Sequence, residues 1–143
     1  MEKIILKGRG VIPGVAEGTA LVCPHSITGW NGVDPKTGVI TDFENENKGK
    51  TIKETILVMP GSKGSNGWSC YFGAARAAGS APKGWMFSRI DSAAGVASSV
   101  MNIPTIVDFP EDQDPCKNIR NGDHVRMDGE TGAVEITRME KTE

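Results

Sequence analysis

Residues 55–109 contain the pattern that most constrains the fold of this chain. Three short apolar runs, at residues 55–59, 85–90 and 105–109, are rich in β-branched and aromatic residues. The stretch at 68–78, between the first two apolar runs, is rich in small residues and predicts a first helix. Asp91 or Ser92 can cap a second helix that runs through Met101. Helices that alternate with buried strands carry the chain back across a sheet, which favours parallel pairing. The pattern predicts a β-α-β-α-β unit.

The segments on either side of this unit are predicted to be β-rich. Residues 8–22 alternate apolar and small residues and include four glycines, as short strands with bends or bulges do. Residues 123–128 and 133–137 flank a turn bounded by Gly129 and Gly132, which predicts a closing hairpin. Val39 and Ile40 would open a short strand. Loops are expected at residues 42–50, as a solvated loop, at 111–120, and in a polar C-terminal tail at 138–143.

These elements define the fold class that we expect, an α/β protein with a compact β/β/α domain. A chain of 143 residues fits one such domain, with its core at about residues 8–137. The formal charge of −2 leaves no basic excess for a phosphate backbone, so nucleic acid is excluded as a partner. No apolar run could span a bilayer and the first residues do not resemble a signal peptide. We therefore expect a cytoplasmic protein without membrane contact.

Three widely spaced cysteines, Cys23, Cys70 and Cys116, suit reduced thiols better than a disulfide framework. Their roles stay open, with buried or inert thiols as the expectation. His25 and His124 are isolated, and no local pair of ligands supports a metal site. We predict that this chain alone binds no metal and no cofactor.

The strongest candidate site is the loop Pro60-Gly61-Ser62-Lys63-Gly64-Ser65-Asn66-Gly67, between the first predicted strand and helix. Unpaired N–H groups at the helix entrance and small side chains let the backbone and hydroxyls approach an anion. The loop does not end in Gly-Lys-Ser/Thr, as a P-loop does, and it lacks the spacing of a dinucleotide-binding fingerprint. Plain turn chemistry is the alternative to a site.

The order of several motifs resembles one known family, the swivel domain of aconitase X proteins. The resemblance covers roughly residues 8 to 136 and depends on the ordered set rather than on any one motif. The motifs are Gly8-Arg9-Gly10 with Gly14 and Glu17-Gly18, Gly32-Val33-Asp34-Pro35 with Thr37-Gly38, Gly64-Ser65, Ala81-Pro82, and Ile103-Pro104.

The resemblance implies a swivelling domain that is the small subunit of a two-subunit hydro-lyase, or one portion of a fused enzyme. In that family a large subunit carries an iron-sulfur cluster or metal ion, and the small subunit supplies a serine proton acceptor. The matching serine in this chain is Ser65, and Ser62 in the same turn is the rival base. Family substrates include mevalonate 5-phosphate and cis-3-hydroxy-L-proline. The acidic composition and the lack of an obvious cationic cluster lean slightly toward a small hydroxy acid such as hydroxyproline.

Other residues receive weaker assignments. Arg9 and Lys63 could hold a substrate carboxylate or phosphate, or could simply be solvated at the surface. Gly64 and Asn66 belong to the same candidate substrate-binding turn. Asp34 is expected to be a turn residue. The three tryptophans are expected to be core or subunit-interface anchors rather than a substrate cage, and they are Trp30, Trp68 and Trp85.

Two other classes of protein stay open. Residues 12–18 and 122–132 also resemble the mobile phosphohistidine domain of phosphoenolpyruvate-using enzymes. That domain has a Ser-His pair about ten residues before an Ile-Pro, where this chain has Ser92 and Ala93, so phosphohistidine transfer is the least favoured alternative. A non-catalytic swivel or assembly module is the other.

Overall fold

The computed structural model describes residues 2–28, 32–63 and 68–138. Within them lie eight strands and three helices, which confirms the mixed α/β class. The strands are β1 (Glu2–Lys7), β2 (Arg9–Ile12), β3 (Val15–Val22), β4 (Ile56–Met59), β5 (Gly84–Phe87), β6 (Thr105–Val107), β7 (His124–Asp128) and β8 (Ala133–Arg138), and the helices are α1 (Trp68–Ala77), α2 (Ser92–Met101) and α3 (Pro115–Asn118).

The strands form one mixed sheet whose two edges are joined by a single residue. The order is β1-β8-β7-β3-β4-β5-β6-β2, with β3 to β6 parallel and the flanking pairs antiparallel. Strands β1 and β2 stand at opposite edges, yet only Gly8 separates them in the chain. The Cα atoms of Lys7 and Arg9 can be at most about 7 Å apart, so the sheet must curl until its edges meet. Strand β1 pairs with β8, from Glu2 opposite Arg138 to Lys7 opposite Ala133.

Two hydrophobic cores lie on opposite faces of this curled sheet. Alternate residues of a strand point to opposite faces, and in β4 Ile56 and Val58 belong to one core while Leu57 and Met59 belong to the other. The first core fills the space enclosed by the sheet with residues from β3, β4, β7 and β8. The second packs α1 and α2 against the outer face. Two β layers and one helical layer result, as the predicted β/β/α architecture requires.

Trp68 and Trp85 occupy the helical core, as expected for anchors of a hydrophobic layer. Both are fully buried, and their rings stack with centroids 5.8 Å apart. Each indole N–H has a partner, since Trp68 donates to the carbonyl of Ile27 and Trp85 to the hydroxyl of Thr105. Trp30 lies outside the described residues.

Helix α2 begins where the sequence predicts. Asp91 is its N-cap, with an extended backbone and a carboxylate that accepts a hydrogen bond from Ala94 N–H at 2.9 Å. It ends at Asn102, which adopts the left-handed conformation with φ 50°. The hairpin of β7 and β8 is also confirmed.

Residues 42–50 form a loop with six exposed residues, as predicted, but it is not solvated throughout. Asp42, Asn45 and Asn47 are buried there, and Asn47 is only 2% exposed. Their side chains satisfy backbone groups of the segment after β3: Asn47 donates to the Val22 carbonyl, and Asn45 to that of Ser26. These polar residues therefore tie the loop to the protein.

Two smaller differences concern local structure. Val39 and Ile40 form only isolated bridges, to Thr51 and Val33, rather than a strand. The segment expected as a loop at residues 111–120 contains a turn of 3₁₀ helix at Glu111–Gln113 and the short helix α3. Asp114 caps α3 through the N–H of Cys116, and Pro115 occupies the first turn, where it needs no donor. Across the described parts of the chain, no helix is long and apolar enough to cross a membrane.

Candidate functional site

The predicted site loop leaves the sheet at the carboxyl edge of its parallel strands. Strands β4, β5 and β6 are parallel neighbours, so the residues after each of them meet at one edge. In α/β proteins, ligands commonly bind outside the carboxyl ends of parallel strands, where the loops that follow the strands converge. The segments that converge at this edge start at Pro60, Ser88 and Asp108.

Ser62 is fixed to the segment that follows β5. Its hydroxyl donates to Oδ1 of Asp91 at 2.8 Å, and its backbone N–H donates to Oδ2 at 2.9 Å. Desolvation, the largest single influence, raises the pKa of Asp91, but hydrogen bonds from Ala94 and Ser62 together hold it below its ordinary value. Asp91 thus stays ionised at neutral pH, and Ser62 anchors the loop to the N-terminus of α2.

Arg9 lies at the same edge and is already paired. It opens β2 opposite Val107, the last residue of β6, and its guanidinium donates two hydrogen bonds to Oδ2 of Asp108, at 2.6 and 3.2 Å. The other oxygen of Asp108 accepts the N–H of Ile90 at 2.9 Å. Desolvation raises the pKa of Asp108, but the bonds from Arg9 and Ile90 outweigh it, and the pKa falls below its usual value.

Lys63 forms an ion pair with Glu44, whose carboxylate lies 3.8 Å from its ammonium group. Both side chains are accessible to solvent, so this pair contributes little to stability. The contact nevertheless places the loop at residues 42–47 beside the predicted site. Residues 26–28 support the site loop from the same side, because Ser26 donates to the carbonyl of Gly61 at 2.5 Å and Ile27 accepts from Trp68.

Arg89 is a cation at this edge that the sequence pattern did not single out. Its backbone is held on both sides: its N–H bonds the Pro60 carbonyl, and the next N–H bonds Asp108. The side chain is exposed, and among residues 2–28, 32–63 and 68–138 it forms no hydrogen bond or ion pair. Its charge acts on Asp108 across the edge. The only sequence signal was its position, two residues after a buried strand.

The structure therefore brings three of the predicted site residues, Arg9, Ser62 and Lys63, to one edge. The remaining three, Gly64, Ser65 and Asn66, lie outside the described residues, between Lys63 and the first residue of α1. Their assignment stays a prediction. Asp34 is a turn residue as expected, since its carboxylate accepts the N–H of Lys36.

The described residues offer no ligand set for a metal ion or an iron-sulfur cluster. No three His, Cys, Asp or Glu side chains converge within those parts of the chain. Cys23 is buried, Cys116 is half-buried and Cys70 is exposed. Burial raises the pKa of Cys23, and it raises that of Cys116 to about 11. Both of these thiols therefore stay protonated at neutral pH, a form in which sulfur is a poor metal ligand.

A curled β layer with a helical layer on its outer face is the architecture of a swivel-type domain, and its candidate site is the polar loop at the carboxyl edge of the parallel strands. Comparison with known families identifies which one. The profile of the aconitase X swivel domain matches residues 5–136, and the chain belongs to this family.

Curated relatives are named as small subunits of a dehydratase. The chain is 36% identical to the phosphomevalonate dehydratase small subunit of Pyrococcus furiosus over 92% of its own length and 94% of the relative's. It is 33% identical to the protein of that name from Methanosarcina acetivorans, over 96% and 94% of the two chains. These names confirm the prediction of a hydro-lyase subunit.

Solved structures agree with the fold. A crystal structure of Thermococcus kodakaraensis aconitase X in its holo form superposes with a TM-score of 0.86 at 32% identity, covering 94% of this chain and 99% of that one. A solution NMR structure from a structural genomics programme gives a TM-score of 0.82 at 30% identity, covering 94% and 100%.

Proposed function

We propose that this chain is the small subunit of an enzyme that dehydrates phosphomevalonate. The observation that carries the proposal is near-full-length similarity to proteins named phosphomevalonate dehydratase small subunit in several archaea. This moves the substrate away from hydroxyproline, toward which composition leaned. The whole chain, residues 1–143, acts as one swivel domain in the cytoplasm, where its three free thiols stay reduced.

The reaction removes a proton from the carbon next to the substrate carboxylate and hydroxide from the neighbouring carbon. One group must accept the proton, and another must help the hydroxide leave. In this proposal the group that assists departure of hydroxide belongs to a large subunit, which is supported by the naming of relatives as small subunits. An iron-sulfur cluster or metal ion in that subunit would supply this chemistry.

Ser65 is the proton acceptor in this proposal. A serine hydroxyl is a weak base in water, so it works only where its alkoxide is stabilised. In the sequence, Ser65 is three positions before α1, a helix of 10 residues whose first N–H groups and dipole favour negative charge. The rival, Ser62, commits its hydroxyl proton to Asp91, which suits an anchoring role.

Arg89 binds the substrate phosphate in this proposal. Arg9 and Lys63 already have carboxylate partners in Asp108 and Glu44, whereas the guanidinium of Arg89 is unengaged among the described residues. A guanidinium suits phosphate because its planar N–H groups match two phosphate oxygens. Its rigid backbone reduces the entropy lost on binding.

The test is to coexpress the chain with an aconitase-X-type large subunit and to follow water loss by NMR. The purified complex should dehydrate phosphomevalonate, and neither subunit should do so alone. Turnover of cis-3-hydroxy-L-proline with no turnover of phosphomevalonate would reassign the substrate. A stable complex with no activity on either compound would favour the assembly module.

A further inference from the structure

Phe43 is an exposed aromatic side chain beside the candidate site. It is 86% exposed, the highest value among the large apolar side chains of the described residues. The ammonium group of Lys48 lies 4.0 Å from its ring centroid and covers part of one face. Exposing a phenyl ring to water is unfavourable. Single exposed apolar side chains are nevertheless common on protein surfaces, so the exposure of Phe43 indicates an interaction site only if the surrounding structure fixes the ring outward.

The turn that carries Phe43 is built to hold it outward. The N–H of Asn45 bonds the Asp42 carbonyl at 3.1 Å, which closes a turn with Phe43 in its second position. Asp42 stabilises this turn from inside, because its carboxylate accepts the N–H groups of Glu44 and Thr28. Asn45 is buried and donates to the Ser26 carbonyl. Both ends of the turn are therefore fixed, and its two central side chains, Phe43 and Glu44, point into solvent.

The same turn is attached to the site loop on two sides. Glu44, next to Phe43, pairs with Lys63, and Ser26, which holds Asn45, also donates to the Gly61 carbonyl. Phe43 therefore lies beside the carboxyl edge of the parallel strands, next to the loop that leads to Ser65. A partner that completes a site at this edge would also cover Phe43.

We propose that Phe43 is an apolar anchor for the large subunit of the dehydratase. The inference rests on the proposed function, because it takes the second half of the site from another polypeptide. The large subunit is the expected partner because relatives are named small subunits, and because the turn that carries Phe43 is joined to the site loop by the ion pair of Glu44 with Lys63. Aromatic side chains that enter a partner's pocket carry a large share of binding energy at protein interfaces.

The test is titration of the separately purified large subunit with the wild-type chain, Phe43→Ala and Val15→Ala. Val15 is also exposed, at 54%, but it begins β3 at the amino edge, away from the site. We expect Phe43→Ala to associate roughly 30-fold more weakly, and Val15→Ala to match wild type. At saturating small subunit, the turnover number of Phe43→Ala should equal that of wild type. Phe43→Trp should restore association.

Each other outcome identifies a different failure. If wild-type subunits do not associate, the proposed function fails before the role of Phe43 is tested. If they associate and Phe43→Ala binds equally well, the anchor is wrong. Lower turnover at saturation with unchanged association would place Phe43 against substrate instead. Wild-type self-association in sedimentation that Phe43→Ala abolishes would make a second copy of this chain the occupant.

Discussion

Ser62 and Asp91 are joined by two hydrogen bonds, one from the hydroxyl and one from the backbone N–H of the serine. The same carboxylate caps α2 through Ala94. A single side chain thus fixes the site loop after β4 to the helix after β5. Asp91 therefore fixes the position of the site loop and also stabilises α2.

Replacing Asp91 should destabilise the protein through both of these contacts. Asp91→Ala removes the cap and leaves Ser62 without its acceptor, and we expect a loss of about 2 kcal/mol in urea unfolding. Asp91→Asn is the matched control, because Asn caps a helix as well as Asp does, and it should lose less than about 1 kcal/mol. Equal losses for the two variants would show that the charge, rather than the cap, dominates.

The two serines of the loop should separate in turnover. In the complete complex, Ser65→Ala should lower turnover by about 10² to 10⁴, the usual contribution of a general base, without weakening subunit association. Ser62→Ala should lower it less than about 10-fold, because this serine only anchors the loop. Near-normal turnover of Ser65→Ala, measured by NMR, would move the base to Ser62 or to the large subunit.

Arg89→Gln should weaken phosphate recognition. Loss of a charged hydrogen-bonding partner should raise KM for phosphomevalonate about 10- to 100-fold with little change in kcat. Inhibition by inorganic phosphate should weaken in parallel, while inhibition by unphosphorylated mevalonate should not. Arg76→Gln is the control, since this exposed arginine lies in the last turn of α1, away from the site. Weaker inhibition by mevalonate alone would assign Arg89 to the carboxylate.

Asp123 should make stability depend on pH. This carboxyl group is 5% exposed and receives two hydrogen bonds from Arg138, at 2.7 and 3.0 Å. Desolvation raises its pKa, but the bonds from Arg138 and Arg120 outweigh it and hold the pKa below its ordinary value. A lowered pKa stabilises the fold above the unfolded-state value, and this stabilisation is lost as the pH falls through the folded-state value.

The measurement is urea unfolding of wild type and Asp123→Asn at pH 7 and at pH 3. At pH 7 the variant should be about 1 to 3 kcal/mol less stable. The gap should narrow at pH 3, because this pH lies below the unfolded-state pKa of about 3.9, so proton binding to the unfolded chain offsets part of the stabilisation. A gap that is constant with pH would mean that the charge of Asp123 contributes nothing.

Replacing each of two glycines with alanine should change the stability of the protein in opposite directions. A Cβ on Gly10 would collide with the backbone oxygens of Gly129 and Glu130, where the curled sheet closes. Gly10→Ala should therefore cost about 3 kcal/mol. Gly95 lies within α2, and its nearest neighbour, a methyl group of Ile90, would be an ordinary 3.7 Å from the new Cβ. Gly95→Ala should stabilise the protein by about 0.5 to 1 kcal/mol, measured by thermal unfolding.

The helical layer could be predicted from sequence because its signals are local. The cap at Asp91 and the left-handed stop at Asn102 lie within a few residues of the helix that they bound. The closure of the sheet could not be predicted, because it depends on pairing β1 with β8 across almost the whole chain. The burial of Asn47 in the polar loop at residues 42–50 could not be predicted for a similar reason, because its side chain donates to the carbonyl of Val22, 25 positions away.

The candidate site was predictable only in part. The glycine- and serine-rich turn after β4 identified the loop, and the family resemblance selected Ser65 within it. Arg89 was missed because a lone arginine after a strand has no distinctive spacing. Only the structure distinguishes Arg89, because Arg9 and Lys63 are paired with carboxylates whereas the guanidinium of Arg89 has no hydrogen-bond or ion-pair partner among the described residues.

The pairing of Glu2 with Arg138 has a consequence for synthesis of the protein on the ribosome. Strand β1 leaves the ribosome before β8, and it must wait without its neighbour while the intervening residues are synthesised. Closure of the enclosed β core therefore follows synthesis of β8, and such long-range pairing folds slowly. During that delay the unpaired edge of β1 can pair with the wrong strand or with another chain.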